Sequence, residues 1–159
     1  MVIRSFTSEE IYHIYDRGVE KRTVFQGTDD YERFLSLLYL CNSSKSIVVR
    51  DIPQHHRYAH ERGEALVQIG AYCLMPNHFH IIARQAQENG ISKFMQKVMT
   101  AYTMYFNVLN KRKGSLFEGT FRSKHVDSDE QLRYLHAYVH LNPISTLTGE
   151  KEWKQNGIK

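Results

Sequence analysis

The sequence predicts an α+β domain built on an antiparallel sheet, with helices packed mainly on one face. Three observations carry that expectation. Several short segments are rich in β-branched and aromatic residues, whereas three longer ones repeat their apolar residues at helical spacing. The two kinds do not alternate strictly, which excludes a doubly wound parallel sheet. At 159 residues the chain is most simply one domain, residues 1–159, long enough to bury its own core.

The first strand is expected at 11–16, IYHIYD, ending at Gly18. A helix follows from Thr28, read as an N-cap before Asp29 and Asp30, with Tyr31, Phe34, Leu35 and Leu38 on one face. IVVRDI (47–52) and the segment from Leu66 to Met75 read as strands flanking a polar connection, PQHHRYAHERGEA. Residues 78–84 extend the second of these or begin a new strand after Pro76. The helix from about Ile91 to Leu109 carries an apolar stripe of Ile91, Phe94, Met95, Val98, Tyr102, Tyr105, Phe106 and Leu109, which belongs in the core. Residues 115–126 contain another extended segment. The last helix starts at Ser128, with Gln131 placed as in a capping box, and Pro143 stops it. This order fits a ferredoxin-like (RRM-like) fold.

Composition narrows the function classes. No apolar stretch approaches the length of a bilayer span, so no membrane partner is expected. The N-terminal MVIRSFTSEE lacks the apolar core of a signal peptide. Cys41 and Cys73 sit in apolar segments without a CxxC pair, as buried thiols of a reducing compartment do, and a cytoplasmic protein is expected.

A net charge of +4 leans weakly toward an anionic partner, so the distribution matters more. Arg17, Lys21 and Arg22 form one basic cluster. Lys111, Arg112, Lys113, Arg122 and Lys124 form another, with Phe117 and Phe121 interleaved. Cations beside aromatic rings suit single-stranded nucleic acid, where phosphates meet charge and unpaired bases stack. A solvated basic loop with both phenylalanines in the core fits the same pattern.

Within LMPNHFHII (74–82), His78 and His80 are separated by Phe79. In a strand, residues two apart share a face about 7 Å apart, so both imidazoles can converge on one point while Phe79 turns to the opposite layer. Two neutral imidazoles so placed can chelate a divalent metal; they can also be strand histidines with no ligand. In the last helix, Leu132, Leu135 and Val139 form the buried stripe, with Tyr138 and Asn142 one above the other beside it. There a phenol can reach a metal-bound ligand, or simply pack its ring. His136 and His140 share a helical metal-ligand spacing on the other side of the stripe, and Tyr134 is a rival nucleophile one turn before Tyr138. Spacing does not choose between the tyrosines.

Five ordered segments resemble the REP-associated tyrosine transposases and their insertion-sequence relatives, the single-tyrosine branch of the HUH nucleases. They are YHIYDRGVEKRTVF (12–25), CLMPNHFHII (73–82), SKFMQKVMTAYTMYFN (92–107), GSLFEGTFRSKHV (114–126) and YLHAYVHLNPI (134–144). His78-Phe79-His80 stands where the family has His, a hydrophobic residue and His. The resemblance implies a transposase that cleaves single-stranded DNA, usually beside a hairpin formed by imperfect palindromes. It implies a divalent ion, Mg²⁺ or Mn²⁺, on His78, His80 and a third polar ligand, which falls on Asn142. It implies that Tyr138 attacks the phosphate, leaving a 5′-phosphotyrosine and a free 3′-OH. Relatives act as monomers or as homodimers, and this leaves the assembly open. They often continue past a Trp-Lys-x-x-Gly-Ile-Lys stretch, so the tail 145–159 reads as a shortened C-terminal extension. A non-catalytic module binding single-stranded nucleic acid on the same scaffold is the alternative.

Overall fold

The computed structural model describes residues 6–144, and the tail 145–159 lies outside them. The chain runs β1 (Ile11–Arg17), α1 (Thr28–Leu40), β2 (Val67–Met75), β3 (His78–Gln85), α2 (Gly90–Leu109), β4 (Arg122–Val126) and α3 (Asp129–Leu141). The strands form one sheet in the order β2-β3-β1-β4, and every neighbouring pair is antiparallel. This is the expected βαββαβ arrangement with a third helix added at its end.

Strand alternation divides the interior into two layers. Tyr12 and Ile14 of β1 join Phe79, Ile81 and Ala83 of β3 beneath α1 and α2, whose Phe34, Leu37, Phe94, Val98 and Tyr102 complete the main core. On the opposite face α3 packs through Leu135 and Val139 onto Ala71, Cys73, Met75, Ile82 and Val126. Two helices therefore cover one face and α3 alone covers part of the other.

One strand serves both layers. Val67 belongs to the main core, whereas Ala71, Cys73 and Met75 belong to the layer under α3. The β2–β3 register shifts between Ile69 and Ala71, so Gly70 is an extra residue on β2. Such a bulge exchanges the faces of all that follows.

Four local expectations are corrected. Gly27, in extended backbone, occupies the N-cap position of α1, and Thr28 is already helical; Asp30 Oδ2 accepts from the Gln26 N–H at 2.7 Å, closing that turn. Residues 47–52 are not a strand but contain a 3-10 turn, Val49–Asp51. The excursion holding them is closed at its base, with Ser44 N–H donating to Glu64 O at 2.8 Å and Gly63 N–H to Ser43 Oγ at 3.0 Å. Its backbone is satisfied locally, Asp51 N–H on Val48 O and Ile52 N–H on Val49 O, rather than against β2. Leu109, expected in the α2 stripe, is exposed. After α3, Asn142–Ile144 make one further 3-10 turn. The capping expectation holds: Ser128 Oγ accepts from the Gln131 N–H at 3.2 Å.

Candidate active site

The histidine pair stands on a tightly held hairpin. Pro76-Asn77 joins β2 to β3, so residues 78–85 form a new strand. Pro76 O accepts from the amides of Val24 (2.7 Å) and Phe25 (3.0 Å), and Asn77 O accepts from the Gly18 amide (2.8 Å). Gly18 has to be glycine, because a Cβ there would overlap the Arg22 carbonyl oxygen and lie 2.7 Å from Val24 Cγ1. The turn after β1 thus braces the hairpin.

Between the histidines, Phe79 is fully buried, with ring centroids 5.3 Å from Phe34 and 5.6 Å from Phe117. Anchoring Phe79 in the main core fixes strand parity and puts His78 and His80 on the α3 face. Their rings lie 5.0 Å apart and nearly perpendicular, at 88°. His78 Nδ1 meets Asn77 Oδ1 at 2.6 Å. An amide oxygen only accepts, so Nδ1 carries the proton and Nε2 the lone pair.

His80 is 7% exposed. Its Nδ1 is 2.8 Å from His13 Nε2 on β1, and its Nε2 is buried with no hydrogen-bond partner among the described residues. Burial lowers its pKa to about 3, helped by His13 and His78. Burial and then Lys124 lower that of His13 to about 4. Both rings are neutral near pH 7, the form that binds metal.

From α3, Leu135 and Val139 pin the helix so that Tyr138 stands edge-on to His80, centroids 5.4 Å apart at 84°. Burial pushes the Tyr138 phenol pKa up, Tyr134 and Cys73 act the same way, and a hydrogen bond with the Asn142 side chain pulls it down. Asn142 is buried. Tyr134 is 70% exposed, at the mouth of a cleft of about 340 Å³ lined by His13, Tyr15, His80, Lys124 and Tyr138 among others. His136 and His140 lie apart from it. Their rings are 6.0 Å apart, His136 sits over Gly70, and His140 Nδ1 donates to His136 O.

The donors present fit a divalent cation. Among the described residues no three His, Cys, Asp or Glu side chains converge on a point. The buried Nε2 of His80 is the observation that asks for a cation, since a buried polar atom without a partner is costly.

The basic residues divide. Arg17 and Arg122 both pair with Glu118, at 2.8 and 3.0 Å, and by strand alternation they share the histidine face with Lys124. Lys21 and Arg22 lie in the turn beside the hairpin, where Lys21 O accepts from Asn77 Nδ2 at 3.4 Å. Lys111, Arg112 and Lys113 follow α2. Arg112 is occupied in bracing that loop, through Asn107 Oδ1 at 2.6 Å and Ser115 O at 3.1 Å. Phe117 and Phe121 are not stacking platforms. They are 3% and 7% exposed, because Phe117 packs on Phe79 and Tyr102 and Phe121 on Phe6. The sequence reading passed over His13 and Glu118. The third position of IYHIYD signalled a side chain on the face of Ile11 and Tyr15, but its meeting with His80 depends on strand register.

A small α+β sheet thus carries paired histidines beneath a helical tyrosine. The model of the IS200-like transposases matches residues 48–142, more than half of the chain, and the chain belongs to that family. A REP-associated tyrosine transposase bound to a REP hairpin is 14% identical, with a TM-score of 0.63 over 92% of this chain and 73% of that one. At that identity the likeness is one of fold. A protein assigned as a transposase from Deinococcus radiodurans R1 is 13% identical, with a TM-score of 0.47 over 88% of this chain and 95% of that one. No curated protein matches. No helix among the described residues is long and apolar enough to cross a membrane.

Proposed function

We propose that this transposase cleaves and rejoins single-stranded DNA beside a hairpin, with Tyr138 as nucleophile and His78, His80 and Asn142 as ligands of Mg²⁺ or Mn²⁺. The observation that carries the reading is the placement of the Tyr138 ring against His80, whose inner nitrogen has no protein partner among the described residues. The solved relative bound to a REP hairpin supports a DNA substrate of that form.

The Tyr138 phenol gives up its proton as its oxygen attacks the scissile phosphorus, the P–O3′ bond breaks, and the leaving 3′ oxygen takes up a proton. The product is a 5′-phosphotyrosine that keeps the phosphoester bond, so a 3′-OH on another end can reverse the step without ATP. Charge neutralisation on the non-bridging phosphate oxygens is what a bound divalent ion supplies there. Two imidazoles and an amide suit Mn²⁺ at least as well as the harder Mg²⁺. Asn142 orients the phenol through its side-chain hydrogen bond. Arg17, Arg122 and Lys124 hold the DNA backbone across the histidine face.

The test is incubation with hairpin-bearing oligonucleotides and Mn²⁺, followed by denaturing electrophoresis. A protein–DNA adduct is expected. Tight binding without an adduct, indifferent to metal, would replace this reading with the non-catalytic binding module.

A further inference from the structure

Cleavage by Tyr138 leaves His13 without a role, although it makes a close polar contact with His80. The N···N distance is 2.8 Å, and the rings are inclined by only 24° with centroids 5.0 Å apart. The centroid separation exceeds the N···N distance by about one ring width, so the two nitrogens point at each other along the line joining the rings. Strand register explains the contact. Tyr15 is the direct partner of His80 and His13 that of Ile82, which makes His13 the diagonal neighbour of His80 on the same face.

An N···N bond holds one proton, which leaves two arrangements. If His13 donates, the single N–H of the neutral His80 ring lies on Nε2, buried and without a partner among the described residues. A buried N–H there stays unsatisfied and repels a cation. If His80 donates, its Nε2 carries a lone pair that a cation can satisfy, and the single N–H of His13 is its Nδ1–H, on a half-buried ring lining the cleft. We infer that His13 is a positioning residue: it accepts the Nδ1–H of His80 and holds His80 in the tautomer whose Nε2 lone pair is presented to a cation. Histidine free in water prefers the opposite tautomer, with the proton on Nε2, so the strand-borne acceptor reverses an intrinsic bias. Both the tautomer and its consequence for cation binding rest on the function proposed above. His13 lies outside the residues that match the family model.

The experiment is a long-range ¹H–¹⁵N spectrum of the metal-free protein at neutral pH, paired with Mn²⁺ titration of each variant. In the wild type His80 is expected as the Nδ1–H form. In His13→Leu it should shift to the Nε2–H form, with Mn²⁺ affinity falling by about 10–100-fold, the usual cost of losing an outer partner of a metal ligand. His13→Gln, whose amide can place an oxygen near the position of the lost Nε2, should restore both. A wild-type His80 in the Nε2–H form would overturn the inference, as would a folded His13→Leu with unchanged tautomer and affinity. Should His13→Leu fail to fold, an Nε2–H form in His13→Gln would also overturn it. A wild type showing the Nδ1–H form but binding no Mn²⁺ would uphold the tautomer and sink the metal site instead.

Discussion

Tyr138 meets His80 edge to face, with ring centroids 5.4 Å apart and planes at 84°. The contact is made by the rings, so Tyr138→Phe should preserve it and the fold while removing the attacking oxygen. That variant should form no covalent adduct with a hairpin oligonucleotide and Mn²⁺ and still bind the DNA. Tyr134→Phe should keep adduct formation, since Tyr134 points largely into solvent at the cleft mouth. An adduct lost in Tyr134→Phe and kept in Tyr138→Phe would reverse the assignment.

Removing the anchor between the histidines should be far more costly to the fold. Phe79→Ala empties a fully buried site among Phe34 and Phe117. Urea titration should show a loss of about 3–5 kcal/mol. Phe121→Ala should also destabilise the protein while leaving the salt dependence of DNA binding unchanged, because its ring is a core element.

Arg17 and Arg122, placed on the histidine face by strand register and paired with Glu118, should behave differently. Surface ion pairs of this kind contribute little to stability. Each Arg→Ala change should instead flatten the plot of log affinity against log salt by about 0.7 for single-stranded DNA, the share of one phosphate contact. Affinity measured between low and moderate salt would check it.

Acid should weaken the metal-free protein in a defined window. His13 and His80 titrate at about 4 and about 3 when folded, against about 6.5 when unfolded. The unfolded chain therefore binds more protons below that value. Stability that is complete above about pH 6.5 is lost as pH falls toward the folded values, with a limiting slope of about 1.4 kcal/mol per pH unit for each histidine. Thermal melts from pH 7 to pH 4 should show the decline, and His13→Gln should lessen it.

Periodicity was enough to read the elements that pack by one repeating face: β1, α1, α2 and α3 all stand close to where their apolar spacing put them. It failed at 47–52, where an apolar run meets a locally closed excursion and the backbone finds its partners within the turn. Alternation along 67–75 gave no warning that Gly70 would exchange the faces of β2. For the candidate site, His78, His80, Tyr138 and Asn142 stand out by spacing and by resemblance. Their companions do not. His13 reaches His80, and Glu118 reaches Arg17, only once strand register and the loop before β4 are known.

The uneven layering has a dynamic consequence. α1 and α2 share an extensive aromatic core, while α3 is fastened chiefly by Leu135 and Val139 on a small apolar patch. Local openings cost less where less apolar surface is shut away. Amides in the middle of α3 should therefore exchange with deuterium well before those of α2, in a motion that leaves the sheet intact. His78 and His80 thus stand on the layer expected to open last and Tyr138 on the helix expected to open first, and the exchange measurement would show whether the two separate while the sheet stays intact.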